Sequence, residues 1–503
     1  MNNFDIVIIG SGMGGLVCGD ILSREGYKVC ILEKNKQLGG CLQTYVRDRV
    51  IFDAGVHYLG GLDKGQNLYQ VFKYLDLMGR LKLQKMDINA FDKIVIDNDE
   101  KEYVYAQGYD NFIKTLVADF PAEEEGIRVY CDKIREVCSK FPLYNLRSNG
   151  EYNEKAGVLE IDTKAFIESV TDNPTLQAVL AGNNALYAGQ PGKTPFYVHA
   201  LILNSYIESS WKCVDGGSQI AKYVAKNIRE RGGVIHRRSE VTKIVEEGGR
   251  ITHVEIADGK KIYGKDFISN MHPVKTLELT ETEIIRNAYR KRLNSLENSV
   301  SSFTLNIVLK QNTFKYFKTN YYCHNEGRVW TGADYTEDNW PLGYALFLSA
   351  NSKSTEYAEG MTVISYMKYA EVRKWENTFN IVSQEEERGI DYEAFKTMKA
   401  EKLLDSVEKK FPGLRDCIKS YFTATPLSYR DYIGNDDGSL YGIVKDYKDP
   451  LRTFISPRTK LPNLYFTGQN LNLHGILGSA MSGVVTCSAF MGNDSIIEKI
   501  RNA

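Results

Sequence analysis

At 503 residues, with 43% hydrophobic and 25% charged side chains, the chain has a globular make-up and is too long for one ordinary core. Its formal net charge of −1, with acids and bases mixed along the chain, gives no electrostatic reason to expect nucleic acid or an anionic membrane as partner. Nine scattered cysteines without a CxxC pair argue against a zinc centre or a disulfide framework and fit a reducing compartment, so no metal and a cytoplasmic location are expected.

The opening MNNFDIVIIG lacks the basic leader of a secretory signal, and its apolar run breaks at Gly10. Within it, residues 5–9 (DIVII) fit a strand buried on both faces. GSGMGG follows, then LVCGDILSREG reads as a helix closed by Gly26, and residues 28–34 (KVCILEK) give a second buried strand. Together they make one βαβ unit of the dinucleotide-binding kind.

Gly10, Gly12 and Gly15 supply GxGxxG between strand and helix, with Ser11, Met13 and Gly14 in the same turn. The first glycine permits the tight turn, the second lets backbone amides approach a pyrophosphate, and the third lets helix and strand pack closely. The helix N-terminus then offers free N–H groups to phosphates. Glu33 ends the second strand 18 residues after Gly15, where a carboxylate accepts from ribose hydroxyls and repels a 2′-phosphate; Lys34 follows it. The pair Gly39-Gly40, followed by Cys41, separates flavin proteins from nicotinamide proteins better than GxGxxG does, and points to FAD.

The region from about 85 to 205 differs in style and has helical stretches, among them NFIKTLVADFPAEEEGIRVYCDKIREVCSKF. The aromatic stretch 194–211 has no charge but Glu208 and fits either a core helix or a lipid-facing mouth to a pocket, with peripheral membrane contact. VDGGSQIAKYVAKNIRERGG reads as turn, helix and stop. Short strands follow, with turns at Gly248-Gly249 and Asp258-Gly259. From about 300 to 445, SFTLNIVLK and MTVISYMKYA look like strands flanking a helix near 393–411.

The 33 residues between Lys460 and Asp494 carry no charge, yet Pro462, several amides, His474 and repeated glycines make a segment packed on a cofactor a better reading than a membrane span. There a strand ends in Thr467-Gly468, Gln469-Asn470 follow, and Gly475-Ile476-Leu477-Gly478-Ser479 start a small-residue helix. Such a start brings amides near phosphate or ribityl oxygens, or near a flat ring.

With these motifs in place, the chain resembles the phytoene desaturase, carotenoid isomerase and retinol saturase family of FAD-dependent flavoproteins. The likeness sits in residues 5–61, 211–245 and 426–490. FDAGVHYLG (52–60) and LYFTGQN (464–470) look most like retinol saturase. VDGGS (214–218) is similar to the family's second glycine motif. The resemblance implies an α/β fold with a Rossmann-like FAD-binding domain of amine-oxidase type and a discontinuous α+β substrate domain. The expected division is 1–85, 205–295 and 446–503 for the nucleotide, and 86–204 and 296–445 for the substrate.

The same resemblance brings Gly55, Val56 and His57 to the flavin and Val241 to the adenine. It also implies an apolar polyene or isoprenoid substrate reduced, desaturated or isomerised, with NAD(P)H as a transient electron donor. Two departures stand out: Cys41 where many relatives carry Arg, and Gln469-Asn470 where an acid is common. His57, Tyr58 and His474 are the candidate acids, although both histidines are equally compatible with structural rings bonded to backbone. Tyr429, Tyr432 and Tyr441 are placed to line the pocket, and His199 reads as a packing residue.

Overall fold

Phe4–Ile9 is the hub of a seven-stranded sheet in a computed structural model that describes residues 4–96, 101–148, 153–382 and 384–503. The strand pairs in parallel with Val29–Glu33 on one side and Lys261–Ser269 on the other. Val234–Arg237 extends the array beyond Val29–Glu33, and Leu464–Phe466 joins the end of Lys261–Ser269, both in parallel. Val241–Glu247 and Arg250–Ile256 complete the sheet as an antiparallel meander.

The apolar run of the hub strand follows from this position. Ile6 and Ile8 pack with Leu16, Val17 and Ile21 of the helix Met13–Arg24, while Val7 and Ile9 pack with Val254, Phe267 and Phe466 on the other face. The helix Gly475–Met491 lies against Met13–Arg24 so closely that a Cβ at Gly483 would fall 2.9 Å from the Gly14 carbonyl oxygen.

A second seven-stranded sheet runs Ile418–Ala424, Ser301–Leu309, Gly360–Met367, Gly343–Leu348, Asn320–His324, Asp92–Ile96, Glu102–Tyr105. It is antiparallel except where Asn320–His324 meets Asp92–Ile96 in parallel. Phe303, Leu305 and Ile307 turn toward the helix Ile390–Lys410. On the opposite face Tyr322, Ala345 and Phe347 meet a helical layer containing Glu124–Ser139 and Phe196–Glu208.

The region 85–205 has the helical stretches expected, and also two strands, Asp92–Ile96 and Glu102–Tyr105, that form one edge of the second sheet. The long helical run is two helices, Tyr109–Asp119 and Glu124–Ser139, broken where Pro121 starts a single 3₁₀ turn. The stretch 194–211 contains the helix Phe196–Glu208, buried on nearly all sides, as an all-round apolar helix should be. Among the described residues, no helix is long and apolar enough to cross a membrane.

Candidate functional site

One cavity of about 1060 Å³ runs from the C-terminal ends of the parallel strands to the inner face of the second sheet. Its first half is a backbone cradle. Gly10, Ser11, Gly12, Met13 and Gly14 line it, together with Glu33, Lys34, Gly39, Gly40 and Val241. Gly39 has φ 113° and Gly40 φ 56°, which bring the second glycine pair against the first turn: a Cβ on Gly40 would lie 3.3 Å from Gly12 Cα. Gly15 does not line the cavity. Its added Cβ would fall 2.2 Å from the Gly10 carbonyl oxygen, so its part is to let helix and strand touch.

Glu33 organises this cradle. Its Oε2 accepts from Ser11 N at 3.0 Å and Ser11 Oγ at 2.6 Å, and its Oε1 accepts from Asn35 N at 2.8 Å. Ser11 Oγ in turn accepts from Gly39 N at 3.1 Å, so one carboxylate ties both glycine motifs together. A carboxylate offers about four acceptor positions, so Glu33 retains capacity for a ribose hydroxyl.

Asn270, which follows Lys261–Ser269, was not legible as a site residue. A Cβ on Gly12 would meet its Nδ2 at 2.6 Å, and one on Gly14 its Oδ1 at 2.7 Å, so its amide is wedged between the first turn and Gly468. Asn270 Oδ1 is buried and, among the described residues, has no hydrogen-bond partner.

The C-terminal segment supplies the next wall: Gly468, Gln469, Asn470, His474, Gly475, Ile476, Leu477, Gly478 and Ser479 all line the cavity. Gly478 is required by a close approach, since a Cβ there would lie 2.4 Å from the Leu473 carbonyl oxygen. Asn470 Oδ1 accepts from Ile443 N at 3.0 Å, and Lys445 Nζ donates to the Leu471 carbonyl at 3.0 Å. Burial pulls Lys445 down to about 8.

Beyond Gly55 and Val56 the lining becomes aromatic, with Tyr197, Tyr206, Tyr322, Phe347 and Tyr366 joining Tyr429, Tyr432 and Tyr441. His57 stacks on Phe347 with ring centroids 4.6 Å apart, and its buried Nε2 has no partner among the described residues. Tyr58 stacks on Tyr206 at 4.3 Å and donates to Asp92 Oδ2 at 2.9 Å. His474 packs on Tyr441 at 4.4 Å and donates from Nε2 to the Leu186 carbonyl at 3.1 Å.

Burial, with Lys212 nearby, pulls His57 down to about 3. Burial likewise pulls His474 down to about 4, against the opposing hydrogen bond to Leu186. Both rings are therefore neutral at pH 7, and neither holds the extra proton that would make it a cationic acid there. His199 is buried between Tyr130 and Tyr187, away from the cavity.

Comparisons with known proteins agree with this geometry. Residues 8–75 match a family model described as an NAD(P)-binding Rossmann-like domain. The all-trans-retinol 13,14-reductase of Rattus norvegicus is 27% identical, over 96% of this chain and 85% of that protein. The chloroplastic prolycopene isomerase of Daucus carota is 25% identical, over 96% and 79%. By sequence the chain is similar, along nearly its whole length, to all-trans-retinol 13,14-reductases and prolycopene isomerases. In fold it is similar to a putrescine oxidase solved with putrescine bound, with a TM-score of 0.65 at 11% identity, over 98% and 100%.

Two positions depart from the pattern that the resemblance implies. Burial pushes the Cys41 thiol up to about 11, so a neutral group stands where many family members carry a guanidinium. Gln469 and Asn470 keep the C-terminal wall uncharged. Asn470 Oδ1 accepts from the Ile443 amide.

Proposed function

We propose that this chain is an FAD-dependent oxidoreductase that reduces a carbon–carbon double bond of a polyene or isoprenoid lipid. The observation that carries the reading is continuity: one cavity joins a dinucleotide cradle to an aromatic chamber. Two features of the cradle support a flavin dinucleotide. Its glycines leave room that Cβ atoms would fill, and Asn270 and His57, which line the cavity, carry buried polar atoms with no partner among the described residues.

In this reading Gly10, Ser11, Gly12, Met13, Gly14, Gly39, Gly40 and the start of Gly475–Met491 offer amides and room to the pyrophosphate. Glu33 takes the ribose hydroxyls and Val241 borders the adenine. Gly55, Val56, His57 and Gly468–Asn470 border the flavin ring. Gly15 contributes by packing. When bound, reduced flavin supplies a hydride to one carbon of the double bond. The chain's own residues orient the polyene against Tyr206, Phe347 and Tyr366 and exclude water from it. With His57 and His474 neutral, Tyr58 is the group best placed to furnish the proton.

The electron donor is proposed to be a nicotinamide nucleotide visiting transiently. The first sheet with its helices forms the nucleotide unit (1–85, 205–295, 446–503), and the second forms the substrate unit (86–204, 296–445). The carrot relative's name favours one rival reading, geometric isomerisation by the reduced cofactor without net turnover. Anaerobic mixing of FAD-loaded, reduced protein with a polyene separates the two. Flavin reoxidation with loss of one double bond supports the reductase. Geometric change without reoxidation replaces it with an isomerase.

A further inference from the structure

Behind Tyr58, below the aromatic chamber, lies a group of buried ionisable side chains that the reading above leaves unused. Asp92 has no exposed surface. It takes the Tyr58 hydroxyl on Oδ2 at 2.9 Å and Asn320 Nδ2 on Oδ1 at 2.9 Å. The Tyr58 and Tyr322 hydroxyls are 2.8 Å apart. Lys212, 2% exposed, donates from Nζ to the Leu348 carbonyl at 3.0 Å, one residue from the Phe347 ring that stacks on His57.

Burial pushes Asp92 up to about 7, opposed by its hydrogen bonds and by Lys212. Burial pulls Lys212 down to about 7, opposed by Asp92 and Asp53. Asp53, which accepts from Gly217 N at 2.7 Å, is pushed up to about 7 by its own burial. The other titratable groups facing Asp92 are Tyr105 and Tyr206, and His57 faces Lys212.

Such a group is costly to bury, and a well-packed apolar core would serve stability at least as well. Groups titrating near neutrality beside a cavity mark a functional site. Tyr58 and Tyr322 line the cavity whereas Asp92 and Lys212 do not, so the Tyr58 hydroxyl links buried Asp92 to a residue pair of the chamber wall.

We propose that Tyr58, Asp92 and Lys212 form a proton relay in which Tyr58 protonates the substrate carbon next to the one that takes the hydride, Asp92 reprotonates Tyr58, and Lys212 balances the resulting carboxylate. The step balances. The reduced flavin gives two electrons and one hydrogen as hydride; the Tyr58 O–H bond breaks as the second C–H bond forms. The phenolate takes the Asp92 proton, and between turnovers a proton from solvent in the emptied cavity returns to Asp92 through the Tyr58 hydroxyl. Asp92 and Lys212 are positioning and proton-holding residues; only Tyr58 touches substrate. The inference rests on the reductase reading.

The test uses FAD-loaded protein and the variants Asp92→Asn and Tyr58→Phe, each checked for flavin content and melting temperature. Infrared titration reads Asp92 without any substrate. A protonated-carboxyl band that fades as pH rises through about 7, and is missing in D92N, is expected; its absence from the wild type overturns the relay. In single turnover with a polyene, the wild-type rate should fall as pH rises through about 7. D92N should be slowed about a hundredfold with that pH limb gone, and Y58F slowed at least as much. Variants that keep the wild-type rate and limb overturn the relay even if the polyene is reduced. A wild type that leaves polyenes untouched while its band titrates overturns the reductase reading, and the delivery step with it, but not the proton on Asp92.

Discussion

Gly14→Ala tests the contact on which the cradle depends. The added methyl would sit 2.9 Å from both Cα and N of Gly468, and 2.7 Å from Asn270 Oδ1, where ordinary contact begins at 3.4 Å. The Asn270 amide can swing aside, but Gly468 presents backbone, so the first turn and the C-terminal segment must separate by about 0.5 Å. Overpacking of this kind costs about 1–3 kcal/mol. At about 1.4 kcal/mol per factor of ten, and with both walls of the cradle moved, FAD affinity should fall about ten- to a hundredfold. The assay is titration of apo-protein with FAD by flavin fluorescence, beside a thermal melt. Gly157→Ala, inside the helix Asn153–Leu159, is the control: its Cβ meets nothing within 4 Å, so FAD affinity should be unchanged and the melting temperature equal or slightly higher. If G14A binds FAD as tightly as the wild type and melts at the same temperature, the two segments do not clamp the cofactor.

Glu33→Ala leaves the buried Ser11 and Asn35 amides without their acceptor, at about 1–3 kcal/mol each, so both melting temperature and FAD affinity should drop, the latter at least tenfold. Unchanged FAD binding in a destabilised variant would make Glu33 a structural clamp alone. Burial holds His199 down to about 3, well below the usual 6.5, with its two ring nitrogens bonded to the Tyr130 and Tyr187 hydroxyls. Because the unfolded chain takes up a proton that the folded ring refuses, this residue's contribution to stability is full above pH 6.5. It is lost as pH falls toward 3, at about 1.4 kcal/mol per pH unit. Urea melts at pH 7 and pH 5 should therefore show a shallower loss for His199→Gln than for the wild type; parallel losses would refute the assignment.

What could be read from the sequence is what depends on near neighbours in the chain. GxGxxG, Glu33 and Gly39-Gly40 fall within one βαβ unit, so spacing alone places them, and all but Gly15 line the cavity. Asn270 escaped because its role comes from three strands meeting at one end of a sheet, which no local pattern records. The same holds for Asp92, Lys212 and Tyr322. Asp92 and Tyr322 meet through the one parallel pairing of the second sheet, between segments over two hundred residues apart, and DKIVI is too short an alternation to stand out in a helical region. The neutral state of His57 and His474 was also hidden, because burial rather than residue type sets their protonation.

The central claim is that a flavin and a polyene share one cavity and exchange a hydride there. The most direct test loads the protein with FAD, reduces it without oxygen, and follows flavin and polyene absorbance together after mixing. Flavin reoxidation at the same rate as a blue shift of the polyene, with one double bond lost by mass, is the predicted result. A protein that retains no FAD, or a reduced flavin unchanged by every polyene tried, would contradict it.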